Sequence, residues 1–138
     1  MTERATFDSH PRSAKQARRF VAARLSGHHP DLVEAATLMV SELVTNSIRH
    51  ATGPVAITLE VTADRLRIDV SDPGPGTPSV RSPAPGENSG RGLRIIAELA
   101  DDWGLTSNPE TGNNVWFVLQ LDTAQFSEGT VEAGAHRR

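Results

Sequence analysis

Between Asp72 and Gly92 the chain carries five of its nine prolines and five of its eleven glycines. Proline removes a backbone donor and glycine resists regular structure, so no helix or strand can run through that whole stretch. At 138 residues the chain fits one domain, because two separate cores would each be marginal. A loop this long inside one small domain is unusual and is commonly a functional segment. Whatever is ordered on either side has to assemble around it.

Before the loop the hydrophobic period changes once. Ala14, Ala17, Val21 and Leu25 recur at intervals of three or four and predict a helix from Arg12 to Leu25, stopped by Ser26-Gly27. Arg12, Lys15, Arg18, Arg19 and Arg24 make it locally basic; this reads first as a solvated face, with a partner-binding surface as the alternative. Pro30-Asp31 opens a longer helix to about Ala51, ended by Thr52-Gly53-Pro54. Beyond that punctuation Val55, Ile57, Leu59 and Val61 alternate with other residues, as do Leu66, Ile68 and Val70, which predicts an antiparallel pair of strands. After the loop come a helix from Gly92 to Asp101 and strands at Trp103–Ser107 and Val115–Leu121, with a turn at Asn108–Gly112. A short edge strand is expected near Ala5 and Phe7, and a disordered tail from Thr123 to Arg138. This order predicts an α+β, two-layer sandwich: a mixed, mostly antiparallel sheet with helices on one face, spanning residues 1–122, with a tail at 123–138.

Composition excludes several classes. The chain has no cysteine, so thiolate metal sites, disulfides and Cys nucleophiles are all ruled out. A formal charge of −3 argues against direct nucleic-acid binding. No apolar run reaches the roughly 20 residues of a membrane span and no signal-peptide pattern opens the chain, so a cytoplasmic protein without a membrane partner is expected.

Three segments carry the chemistry. On the second helix, Glu42, Asn46 and Arg49 share one stripe at about 100° per residue. A carboxylate one turn from a carboxamide places a proton acceptor beside a ligand for a hard cation, although a solvated helix face looks the same. Asp72-Pro73-Gly74-Pro75-Gly76 follows a strand, where an Asp can accept from an amine and the glycines let backbone approach a ligand; a plain turn is the bland alternative. Ser89-Gly90-Arg91-Gly92-Leu93 leads into the third helix, whose first N–H groups suit an anion. Neither glycine segment has the P-loop ending or the dinucleotide-fold spacing.

Together Ser41-Glu42-Leu43-Val44-Thr45-Asn46, Asp72–Gly76, Ser89–Leu93 and Gly112–Phe117 resemble, in order and spacing, the N box and glycine boxes of the GHKL, or Bergerat-fold, ATPases. The branch they look most like is the actinobacterial type of anti-sigma factor serine kinase. The resemblance runs from about Phe7 to Leu121. It implies ATP and Mg²⁺ as ligands, with Asn46 holding the metal and Glu42 acting as general base. It implies that Asp72 accepts from the adenine amine, that Gly74 and Gly76 shape the pocket edge, and that Pro78–Ser89 forms a lid. Gly90, Arg91, Gly92 and Leu93 would lie at the phosphates, and Arg49 belongs to the same nucleotide site. An anti-sigma-factor antagonist and a sigma factor are the implied protein partners, and homodimers are common in the family.

The match has departures. The last box usually reads Gly-Lys-Thr-Val-Trp; here it is Gly112-Asn113-Asn114-Val115-Trp116, so Asn114 stands where a threonine is expected to support Asp72. Asn88 replaces an arginine found in some of these kinases, with Arg81 and Arg91 as substitutes. The leading expectation is an ATP-dependent serine/threonine kinase. A nucleotide-dependent binding module without turnover is the second, and a detached histidine-kinase catalytic domain the third.

Overall fold

The computed structural model describes residues 1–51, 53–74 and 91–121. Eight elements follow the changes of period: β1 (Thr2–Phe7), α1 (Arg12–Arg24), α2 (Pro30–His50), β2 (Val55–Val61), β3 (Arg65–Asp72), α3 (Arg91–Leu99), β4 (Asp102–Asn108) and β5 (Gly112–Gln120). The expected lid and tail lie outside the described residues. β1 is the expected edge strand, and β5 starts three residues earlier than its apolar alternation suggests.

The strands make one five-stranded sheet in the order β1-β2-β3-β5-β4. Every neighbouring pair is antiparallel, in line with the mostly antiparallel sheet expected. The cause is the last hairpin: β4 and β5 pair with each other, and β5 inserts between β4 and β3, running against both. In the hairpin turn Asn108 Oδ1 accepts from the N–H groups of Glu110 (2.7 Å) and Thr111 (3.3 Å).

Side chains of one parity in each strand face the helices. Val55, Ile57 and Leu59, then Leu66, Ile68 and Val70, then Val115, Phe117 and Leu119 form one core with Val21, Met39, Val40, Leu43, Val44, Leu93 and Ile96. This two-layer packing is the α+β sandwich expected from the element order. With few aromatics available, Phe117 is the largest fully buried side chain among the described residues.

The helix ends follow local chemistry. His29 Nδ1 accepts from the Asp31 N–H (3.0 Å) at the start of α2, with Pro30 in the first turn. Three of the α1 arginines are held within the chain. Arg12 pairs with Asp8 (2.8 Å), Arg18 Nη1 donates to Ser41 Oγ (3.0 Å), and Arg24 pairs with Glu3 (3.0 Å) over the Phe20 ring (4.2 Å). Much of the basic decoration therefore fastens α1 to its neighbours.

Candidate functional site

The site starts from strand parity. Leu66, Ile68 and Val70 point into the core, so Asp72, two residues on, points the same way and is only 9% exposed. A carboxylate taken out of water needs hydrogen bonds to stay charged. Its Oδ2 accepts from Ser47 Oγ at 2.6 Å, and its Oδ1 from the Gly74 N–H at 2.8 Å and Asn113 Nδ2 at 3.3 Å. Asn113 Oδ1 in turn accepts from Ser107 Oγ at 2.8 Å. One carboxylate thus joins α2, β3, β5 and, through Asn113, β4. A carboxylate offers about four lone-pair positions. Described residues use three of them, two on Oδ1 and one on Oδ2.

Two glycines make the surrounding backbone feasible. Gly74 (φ +80°) lets its N–H turn back onto Asp72, and Gly112 (φ +91°) opens β5 directly against the Asp72-Pro73 peptide. A Cβ on Gly112 would collide with the Asp72 carbonyl oxygen and lie 2.7 Å from Pro73 Cα.

Ser47 ties the last turns of α2 to this strand end. Glu42 and Asn46 sit one turn apart on the neighbouring flank of that helix, both half-buried, while Arg49 is exposed. Arg91 and Gly92 open α3, and Leu93 is a core side chain, 1% exposed, so its side chain belongs to packing. Gly76, Gly90, Asn88 and Arg81 lie outside the described residues, as does the Arg91 side chain.

Asn114 is not beside Asp72. It pairs with Ser71 in the ladder, and its Nδ2 donates to Asp69 Oδ2 at 3.0 Å on the far face of the sheet. There Arg67 donates to both Asp69 oxygens (2.8 and 3.1 Å) and stacks over Trp116 (4.5 Å). Burial works against the charge on Asp69, but the bonds from Arg67 and Asn114 outweigh it and hold the carboxyl below its usual range. The physical reason is the period of two: one residue along a strand reverses the face. The carboxamide that supports Asp72 is Asn113.

Ser47, Asn113 and Ser107 went unread in the sequence, yet two of them had a signal. Ser47 follows Met39, Val40, Leu43 and Val44 on the buried stripe of α2, where a polar residue needs a partner. Asn113 shares parity with Val115, Phe117 and Leu119. Ser107, in an exposed edge strand, had none.

Residues 7–119 match the model of the histidine kinase-like ATPase domain. The chain belongs to that family. No curated protein matches it. Membership in the histidine kinase-like ATPase domain family supports ATP binding and ATP-using chemistry in general. Such domains usually bind ATP with Mg²⁺, and the donors present fit that metal in one respect. Asn46 offers a side-chain oxygen on the half-buried flank of α2, and no group of three or more His, Asp or Glu side chains that could hold a metal occurs among the described residues. Mg²⁺ bound with a nucleotide takes one or two protein ligands, with phosphates and waters completing its shell. Among the described residues no helix is long and apolar enough to cross a membrane.

Proposed function

We propose that this ATPase domain is a serine/threonine protein kinase that phosphorylates an anti-sigma-factor antagonist and, in the opposing state, sequesters a sigma factor. The observation that carries the reading is the Ser47–Asp72 bond. It docks the helix bearing Glu42 and Asn46 against a buried carboxylate.

In this reading Asp72 accepts from the adenine amine, which favours ATP over nucleotides that present an oxygen there. Gly74 and Gly76 bound the base. Gly90, Arg91 and Gly92 meet the phosphates at the start of α3, where the N-terminal N–H groups of a helix favour an anion, and Leu93 anchors that turn in the core. Asn46 holds Mg²⁺, which supplies neutralisation of phosphate charge, and Arg49 adds positive charge at the helix end. Glu42 takes the proton from the attacking serine hydroxyl. The serine oxygen bonds to the γ-phosphorus, the bond to the β–γ bridging oxygen breaks, and ADP leaves. Positioning and charge neutralisation do most of the work in such a transfer.

The direct test is incubation of the chain, Mg²⁺ and γ-labelled ATP with the antagonist protein. Label on an antagonist serine is the expected result. Binding of ATP with no label transferred would assign the chain to the nucleotide-dependent regulatory module.

The nucleotide site itself is tested by Asp72→Asn. The change removes a charged acceptor and turns an NH₂ toward groups that already donate. ATP affinity by calorimetry should fall about 100-fold, as expected when a charge-assisted bond is lost and a donor left unpaired. Equal binding by both proteins would remove Asp72 from the site.

A further inference from the structure

We infer that Gly53 is a positioning residue that sets the span between the helix carrying Asn46 and the turn carrying Asp72, and so between the phosphate and nucleobase ends of a bound nucleotide. This extends the reading proposed above, on which it rests, to a residue outside every box of the sequence motif.

Gly53 lies just past Ala51, the capping residue that ends α2, and shortly before Val55 opens β2. A Cβ placed on it would lie 2.7 Å from Pro73 Cγ, 3.6 Å from Cδ and 3.8 Å from Cβ. The turn after α2 therefore rests directly on the proline that follows Asp72. Pro73 cannot retreat, because a Cβ on Gly112 would lie 2.7 Å from its Cα and 2.8 Å from its carbonyl carbon. Its ring is closed on the backbone and has no other rotamer to swing into. The φ of Gly53 lies outside the left-handed region that Gly27, Gly74 and Gly112 occupy, so its backbone does not itself call for glycine. Space alone excludes a side chain there. The Ser47–Asp72 bond draws α2 toward the strand end, and the Gly53–Pro73 contact limits how far the helix can come. One hydrogen bond leaves a helix free to tilt about it; a second contact past the helix end removes that freedom. Asn46 precedes Ser47 on α2, so the tilt of the helix sets where Asn46 stands relative to Asp72.

The decisive variant is Gly53→Ala. Carbon contacts settle at about 3.5–4.0 Å, so the added methyl forces the two turns about 1 Å apart. A displacement of that size costs as much as about 100-fold where two ends of one ligand must be held together. ATP affinity by calorimetry should fall about 30-fold, while adenosine, which reaches only the base end, loses no more than about threefold by NMR titration. Equal losses for the two ligands, or an unchanged ATP affinity, would overturn the inference, because a merely structural contact lowers the urea midpoint without separating them. Adding Pro73→Ala removes Cγ and Cδ and leaves only Cβ, at ordinary contact distance, so Gly53→Ala/Pro73→Ala should bind ATP within about threefold of wild type. A double variant as weak as Gly53→Ala would place the defect away from Pro73 and equally overturn it.

Should Gly53→Ala alone not fold, the double variant is compared with Pro73→Ala. A methyl added where the ring has been removed should leave ATP affinity unchanged or improve it, and a further loss would overturn the role of the contact. Asp72→Asn, measured alongside, separates the two levels, since it should weaken ATP and adenosine together. If it binds both like wild type, the assignment of Asp72 fails. If it loses both while Gly53→Ala keeps wild-type ATP affinity, the spacing alone is overturned.

Discussion

Glu42→Ala leaves ATP binding close to wild type and lowers phosphoryl transfer to the antagonist by about 10²–10⁴-fold, the usual contribution of a positioned general base. The expectation follows from where Glu42 sits. It is half-buried on α2 and outside the Ser47–Asp72–Asn113 network, so its removal leaves the partners of Asp72 in place. The substitution replaces a carboxylate with the best helix former, so the helix itself should persist. Calorimetry with Mg·ATP and a single-turnover transfer assay on the same preparation separate binding from chemistry. Transfer at the wild-type rate would remove Glu42 as the base. Loss of ATP binding would make it a nucleotide ligand instead.

Gly112→Ala is expected to destabilise the domain by about 3–5 kcal/mol, summing the cost of a left-handed non-glycine backbone and of forced overpacking. The added Cβ meets backbone: the Asp72 carbonyl oxygen and the Pro73 peptide, with Pro73 Cα 2.7 Å away. Backbone cannot rotate out of the way as a side chain would. Relief requires β5 to withdraw from the end of β3, which also pulls Asn113 off Asp72. Urea unfolding should therefore show a lower midpoint, and ATP affinity should fall with it. A loss below about 1 kcal/mol, the size of an ordinary surface change, would show that the close approach is not tight.

These effects show which features were legible in the linear chain. Both long helices, the β2–β3 pair and the final hairpin were readable because each has a local cause: a period of 3.6 or 2, and Gly-Pro or Asn-Pro punctuation. Asp72 was readable as a candidate because an acidic residue follows three inward apolar residues at the end of a strand. Glu42 and Asn46 were readable as a pair one turn apart. The start of β5 was not readable. Gly112, Asn113 and Asn114 look like turn residues, and only pairing with β3 draws them into the ladder. The reading therefore gave Asn114 the role that belongs to Asn113, a slip of one residue that changes the face of the sheet.

The sequence alone settled the kind of fold and the family, because element order and four short ordered motifs are local properties that survive without a structure. Only the tertiary structure decided how the sheet is ordered, with β5 between β3 and β4. Only it decided that Ser47 and Asn113 converge on Asp72, with Ser107 bonded to Asn113, while Asn114 serves Asp69 on the opposite face. Register is a relation between strands far apart in the chain, and no local pattern carries it. A buried carboxylate likewise takes whichever donors packing brings within reach, and those came from a helix, a glycine turn and the last hairpin.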